Sequence, residues 1–214
     1  MTASAMPARG RFVTIEGPEG AGKTTQAARL AGHARTRGDR VTLVREPGGT
    51  ELGERLRELL LASRSTGSIR PRADALLFNA SRAQLVEDVI RPALAGGDLV
   101  IATRFSDSTL AYQGYGLGLP LDDLRTIERF ATGGLVPDRT VVLDVPVDVG
   151  MRRKDGGERT RFESDYDAAF HERVRAGFLD LARAEPARFR IVDAAEGDED
   201  AVFDRLRRAA FDEA

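Results

Sequence analysis

The stretch Gly17-Pro18-Glu19-Gly20-Ala21-Gly22-Lys23-Thr24 fits G-x-x-x-x-G-K-[ST], a spacing suited to holding phosphate. Its glycines let successive backbone N–H groups close on an oxyanion, and the positive end of a following helix adds to their field. Lys23 can neutralise β- and γ-phosphate oxygens, and the Thr24 hydroxyl can take one position around Mg²⁺. Gly17, Pro18, Glu19, Gly20, Ala21, Gly22, Lys23, Thr24 and Thr25 are therefore candidate ATP-binding residues. Lys23 is also a candidate catalytic residue, and Thr24 is the candidate metal ligand. The chain has 32 basic residues but only two lysines, Lys23 and Lys154, so a lysine at this place is not a product of composition.

A phosphate loop leaves the use of the nucleotide open. A Ras-type GTPase needs a guanine-reading N-K-x-D, yet the only asparagine is Asn79, followed by Ala80. An L-S-G-G-Q-like segment of transporter ATPases is absent, and Pro18 stands where partitioning ATPases carry a second loop lysine. A small kinase remains.

Short β-branched runs are predicted as strands over 11–16, 40–44, 98–103, 140–145 and 188–192. Helical spacing is predicted from Gly22 to a Gly38 stop and over 52–61, 73–94, 121–131, 165–184 and 199–210. This alternation predicts an α/β fold, a five-stranded parallel sheet with helices on both faces. The first strand, the loop and the first helix place the phosphate site. Residues 11–214 are predicted to form one domain. Arg152 to Arg161, with five basic and two acidic residues around Gly156-Gly157, reads as a basic flap, giving a lid at about 152–163.

The formal net charge of −2 provides no broad positive field for a nucleic-acid backbone or an anionic membrane. The absence of cysteine excludes disulfides, thiolate metal sites and cysteine nucleophiles. The longest apolar runs fall far short of the roughly 20 residues that cross a bilayer. Residues 1–10 lack the apolar core of a secretory signal and read as a flexible leader, with a cytoplasmic location expected.

Three further segments point to the acceptor. They are Arg45-Glu46-Pro47-Gly48-Gly49-Thr50 after the second strand, Leu77-Phe78-Asn79-Ala80-Ser81-Arg82 on the long helix, and 103–114, from Thr103-Arg104 to Tyr112-Gln113-Gly114, after the third strand. Phe78 and Arg82 are four apart and share a helix face, and residues beyond the carboxyl ends of parallel strands line the ligand crevice. With the phosphate loop, these segments resemble the thymidylate kinase family from about Arg11 to the C-terminal helix. The resemblance implies a three-layer P-loop kinase fold, ATP and dTMP as substrates, Mg²⁺ and a homodimer. It implies acceptor contacts from Glu19, Arg45, Glu46, Pro47, Phe78, Arg82, Arg104, Ser108, Thr109, Tyr112 and Gln113. In this pattern Phe78 stacks on the base, Arg82 donates to a base carbonyl, Tyr112 lies against the deoxyribose, and Arg45 and Arg104 hold the acceptor phosphate. The flap resembles bacterial lids that carry the catalytic arginine when the loop carries an acid, here Glu19. Arg153 and Arg159 are then the lid candidates beside Arg104, with Arg161 a further one and Arg152 expected on adenine. Thr103 departs from the family's usual Asp and puts a carboxylate contribution to Mg²⁺ in doubt. Asp144 and Glu163 are the other carboxylates near the motifs. His33 and His171 are expected on helix surfaces, because phosphoryl transfer to a phosphate dianion needs no side-chain base.

Overall fold

All five residues of β1 (Phe12–Glu16) are buried, as a central parallel strand covered on both faces requires. The structure is a computed structural model and describes residues 9–61, 69–154 and 160–212. After β1 come α1 (Lys23–Thr36), β2 (Val41–Arg45), α2 (Glu51–Leu61) and α3 (Pro71–Leu85). A π-helical turn, Val86–Ile90, joins α3 to α4 (Arg91–Ala95) and so interrupts the single helix expected over 73–94. Next are β3 (Leu99–Thr103), α5 (Ser106–Thr109) with its π-helical continuation Leu110–Gly116, α6 (Leu121–Thr132) and β4 (Arg139–Asp144). The chain ends with α7 (Val147–Arg153), α8 (Arg161–Ser164), α9 (Ala168–Ala184), β5 (Phe189–Asp193) and α10 (Glu199–Phe211).

The five strands are all parallel in the order β2-β3-β1-β4-β5, matching the predicted fold class. Alternation along β1 sends Val13 and Ile15 into a core with Leu30, Ala31 and Ala34 of α1 and Leu206 of α10. Phe12 faces the other layer, where Val100, Ala102, Phe105 and Ile90 meet it. Thr14 lies on that side too, its hydroxyl 2.8 Å from that of Thr140 on β4, so two buried hydroxyls satisfy each other across the sheet.

The stretch 106–116, which carried no element prediction, is helical and packs closely on α9. Small residues allow this approach: a Cβ on Gly116 would stand 2.5 Å from Phe170 Cε2 and 2.9 Å from Val174 Cγ2. The basic segment also departs from a simple flap. Arg152 and Arg153 close α7 and Arg161 opens α8, while 155–159, including Arg159, lie outside the described residues. Of the expected leader, 1–8 lie outside them too, but Gly10 is buried and its N–H donates to Leu94 O at 2.9 Å. No helix among the described residues is long and apolar enough to cross a membrane.

Gly116→Ala should lower stability by about 1–3 kcal/mol through overpacking against α9. Urea denaturation checks this; an unchanged midpoint would mean that the two helices separate freely.

Candidate active site

The carboxyl ends of β1, β2, β3 and β5 open onto one cleft of about 700 Å³. The loop after β1 forms its floor. Gly22 takes a left-handed φ of 81° before α1, and Gly20 lies against Gly150 of α7 so closely that a side chain on either would strike the other's backbone neighbourhood. The Lys23 ammonium is buried and donates to Pro18 O at 2.6 Å. Burial lowers its pKa, the charge of Arg104 lowers it further, and Glu19 and Glu16 oppose them, leaving it at about 7. A phosphate dianion entering the loop would restore its full charge.

Arg104 follows β3 in a left-handed conformation, φ 66°, which is rare for a side chain of this size. Its surroundings hold it there. Its N–H donates to Ile15 O at 3.1 Å, and the next N–H, of Phe105, donates to Glu16 Oε1 at 2.7 Å. Ser108 Oγ donates to the other Glu16 oxygen at 2.6 Å. The guanidinium thus directed meets Glu19 Oε1 at 2.5 Å, which also accepts from the Tyr112 hydroxyl at 2.8 Å, and lies 4.9 Å from the Tyr112 ring centre. Burial pushes the Glu19 carboxyl up, but Arg104 and Lys23 outweigh it and hold the group at about 2. Glu16 has no such excess of positive neighbours: burial and then Asp107 raise it to about 7.

Across the cleft, Phe78 on α3 stands 6.1 Å from Phe162 of α8, and Tyr112 packs edge-on to Phe162 at 5.3 Å. Arg82 lines this end but is 1% exposed and fully engaged. It donates to Glu46 (2.8 Å), Thr109 Oγ1 (3.0 Å) and Phe105 O (3.0 Å). In this arrangement it orders Glu46 and Thr109 rather than offering a free guanidinium to a base carbonyl. Glu128 of α6 lies 3.7 Å from Arg82, and burial, against the pull of Arg82, raises its carboxyl to about 8.

The predicted loop residues Glu19, Gly20, Ala21, Gly22, Lys23, Thr24 and Thr25 line the cleft, as do Arg45, Glu46, Pro47, Ser108, Thr109 and Gln113. Gly17 and Pro18 contribute carbonyls from behind, to Arg104 at 3.4 Å and to Lys23. Arg45 lines the cleft half exposed, with its guanidinium paired to Glu54 at 2.8 Å, which closes the 45–50 turn. A second arginine beside it is Arg57 of α2, which donates to Pro47 O at 2.9 Å and has no counterpart in the sequence prediction. It shares a helix face with the buried Gly53 and Leu60, and an arginine on a buried face is the signal that could have found it.

On the far wall, Arg153 donates to Ala194 O at 2.7 Å beyond β5, beside the start of α10. Arg152 does not line the cleft; it pairs with Asp148 at the exposed surface of α7. Arg161, expected as a further lid arginine, does not line the cleft: it is buried and bonded to Asp74 and Leu60 O. Glu163 is buried against Lys154 at 2.9 Å, and Asp144 is chelated by Arg175 at 2.7 and 2.9 Å. His171 is buried, not on a surface, and burial lowers its pKa.

The thymidylate kinase family model matches residues 15–205, the span that carries all of these side chains. The chain belongs to the thymidylate kinase family. Thymidylate kinase of Deinococcus radiodurans is 53% identical over 187 residues, covering 87% of this chain and 89% of the relative. That of Desulfovibrio desulfuricans is 52% identical over 200 residues, covering 89% and 91%. A crystal structure of thymidylate kinase from Ehrlichia chaffeensis superposes with a TM-score of 0.74 at 32% identity, over 92% of this chain and 96% of that one.

Glu128 supplies a pH test of the buried network. Folding makes this carboxyl hold a proton that an unfolded glutamate releases above about 4.5, so its contribution to stability falls as pH rises toward 8. Glu128→Gln should therefore gain on the parent chain by up to about 1.4 kcal/mol per pH unit between about pH 5 and pH 8. Urea titrations across that range check it; a difference that stays flat would mean the carboxyl is not held protonated.

Proposed function

We propose that the protein transfers the γ-phosphoryl group of ATP to a phosphate oxygen of dTMP, giving ADP and dTDP. The observation that carries this reading is the junction of two half-sites in one cleft: a phosphate loop with its buried lysine, and an aromatic and arginine-lined chamber facing it. ATP phosphates lie on the N–H groups of Gly20 to Thr25 with Lys23 at the β/γ oxygens, and the base lies toward Ala194 and Arg153. The dTMP base lies along Phe78, with Thr109 and Gln113 at its edge, Pro47 and Glu46 beneath, and Tyr112 and Glu19 at the sugar. Arg57 and Arg104, with Ser108 behind Arg104, face its phosphate.

The acceptor dianion is already a nucleophile, so the chain's work is to position two anions and neutralise their charge. Lys23 and Arg104 stand between the two half-sites. Arg104 is kept charged by Glu19 and its turn is fixed by Glu16, which limits the reorganisation needed as charge moves. Arg153 and Arg159 are the lid arginines proposed to cover the transferring group.

Mg²⁺ fits this site as a partner of the nucleotide. No cluster of three or more metal-ligating side chains occurs among the described residues, whereas the Thr24 hydroxyl is exposed at the start of α1. Thr24 and the ATP oxygens would hold the ion, the usual arrangement for Mg²⁺, and it would supply charge neutralisation.

A homodimer is also proposed. α2, α3 and α6 pack side by side and present Leu52, Leu76 and the 91% exposed Phe130. With free nucleotides as substrates and no cysteine in the chain, the cytoplasm is the proposed compartment.

ADP release from Mg·ATP with dTMP, dUMP, UMP, CMP, GMP and AMP offered singly tests the reading. A strong preference for dTMP is expected, and Lys23→Ala should cut kcat roughly a hundredfold or more with an unchanged melting temperature. Preference for another acceptor would overturn the chamber assignment, and a near-normal rate in Lys23→Ala the loop assignment. Phe130→Glu should convert a dimer to a monomer in light scattering; an unaltered dimer would place the interface elsewhere.

A further inference from the structure

Asp74, in the first turn of α3, is completely buried and is not among the residues assigned to either substrate. Its two oxygens are taken by donors from different elements. Arg161 of α8 binds Oδ1, and Gln113 Nε2, from the π-helical stretch, donates to Oδ2 at 2.7 Å. An ionised carboxylate only accepts hydrogen bonds, so the NH₂ end of the Gln113 amide must face it. The other end, Oε1, takes no bond from any described residue and is not among the buried unpaired atoms, while Gln113 lines the cleft beside Thr109 and Tyr112.

We propose that Asp74 is a positioning residue that sets base selectivity: by gripping the Gln113 amide through its NH₂, it turns a hydrogen-bond acceptor, and no donor, toward the base of the acceptor nucleotide. This deepens the thymidylate reading and rests on its placement of Gln113 at the base edge. The pairing edge of thymine carries an N3–H between two carbonyls; that of cytosine carries a bare N3 lone pair beside an amine. A fixed acceptor binds the first and faces the lone pair of the second. The two ends of an amide are nearly the same size, so shape alone cannot stop Gln113 from turning over and inverting this preference. Burial raises the Asp74 carboxyl above its ordinary value, and the Arg161 charge on Oδ1 opposes that rise and favours the ionised, accepting form that locks the amide.

Asp74→Asn tests the lock with little change of volume. Its Oδ1 can still accept from Arg161, leaving its Nδ2 toward Gln113, whose amide must then turn its own NH₂ to the cleft. The ratio of kcat/KM for dTMP to that for dCMP should fall roughly tenfold or more, mainly through a higher KM for dTMP. Asp74→Glu, which retains the carboxylate, should keep a ratio nearer that of the parent chain. Gln113→Leu separates the two layers of the argument. If it lowers the ratio while a folded Asp74→Asn does not, Asp74 does not set the amide and the proposal fails. If neither moves the ratio, Gln113 is not at the base and the placement beneath the proposal fails. Should Asp74→Asn not fold, NMR of the unsubstituted protein with dTMP decides. Slow exchange of the Gln113 NH₂ and no NOE from it to the thymine ring support the lock; fast exchange or such an NOE overturns it.

Discussion

Two guanidinium groups, the buried one of Arg82 and the partly buried one of Arg104, set the terms for the rest of the cleft. A charge removed from water is tolerated only where opposite charge and hydrogen-bond acceptors are already in place. Arg104 has Glu19 at its tip and Glu16 at its root, and Arg82 has Glu46, Thr109 and the carbonyl of Phe105. These partners come from the ends of β1, β2 and β3 and from α5. Elements distant in sequence are thus tied together by the need to keep two cations solvated by protein. The arrangement costs something in turn: burial, reinforced by neighbouring carboxylates, pushes Glu16 and Glu128 toward holding protons.

The fold was largely legible because each element had a local cause. Five short apolar, β-branched runs alternate with helical spacing, and Gly17 to Thr24 fit only between a strand and a helix. The helix over 106–116 escaped notice because Ser106, Asp107, Ser108 and Thr109 are poor helix formers in isolation, and packing against α9 overrides their preference. Both π-helical segments were illegible for a related reason: a five-residue hydrogen-bond step leaves no periodic trace over so short a span.

Within the cleft, residue identities were easier to read than their engagements. The spacing of Phe78 and Arg82 places them on one helix face, but spacing cannot tell that each guanidinium nitrogen of Arg82 already has an acceptor. Arg45 sits in a recognisable motif but is tied to Glu54, and Arg57, in no motif, lines the cleft beside it. Glu16 carried a clue that went unused, a carboxylate at the last position of an otherwise apolar central strand. Such a residue has no water to face and must serve a backbone turn or a buried cation. Here it serves both, through Phe105 and Arg104.

The contact of Gly20 with Gly150 has a consequence for how this chain can change over generations. Main chain meets main chain there, one from the phosphate loop and one from α7, with no side chain between them to absorb a change. A helix that shifts to admit a methyl group at either position would carry Arg153 away from the far wall, so a change in the loop and a change in α7 are felt as one.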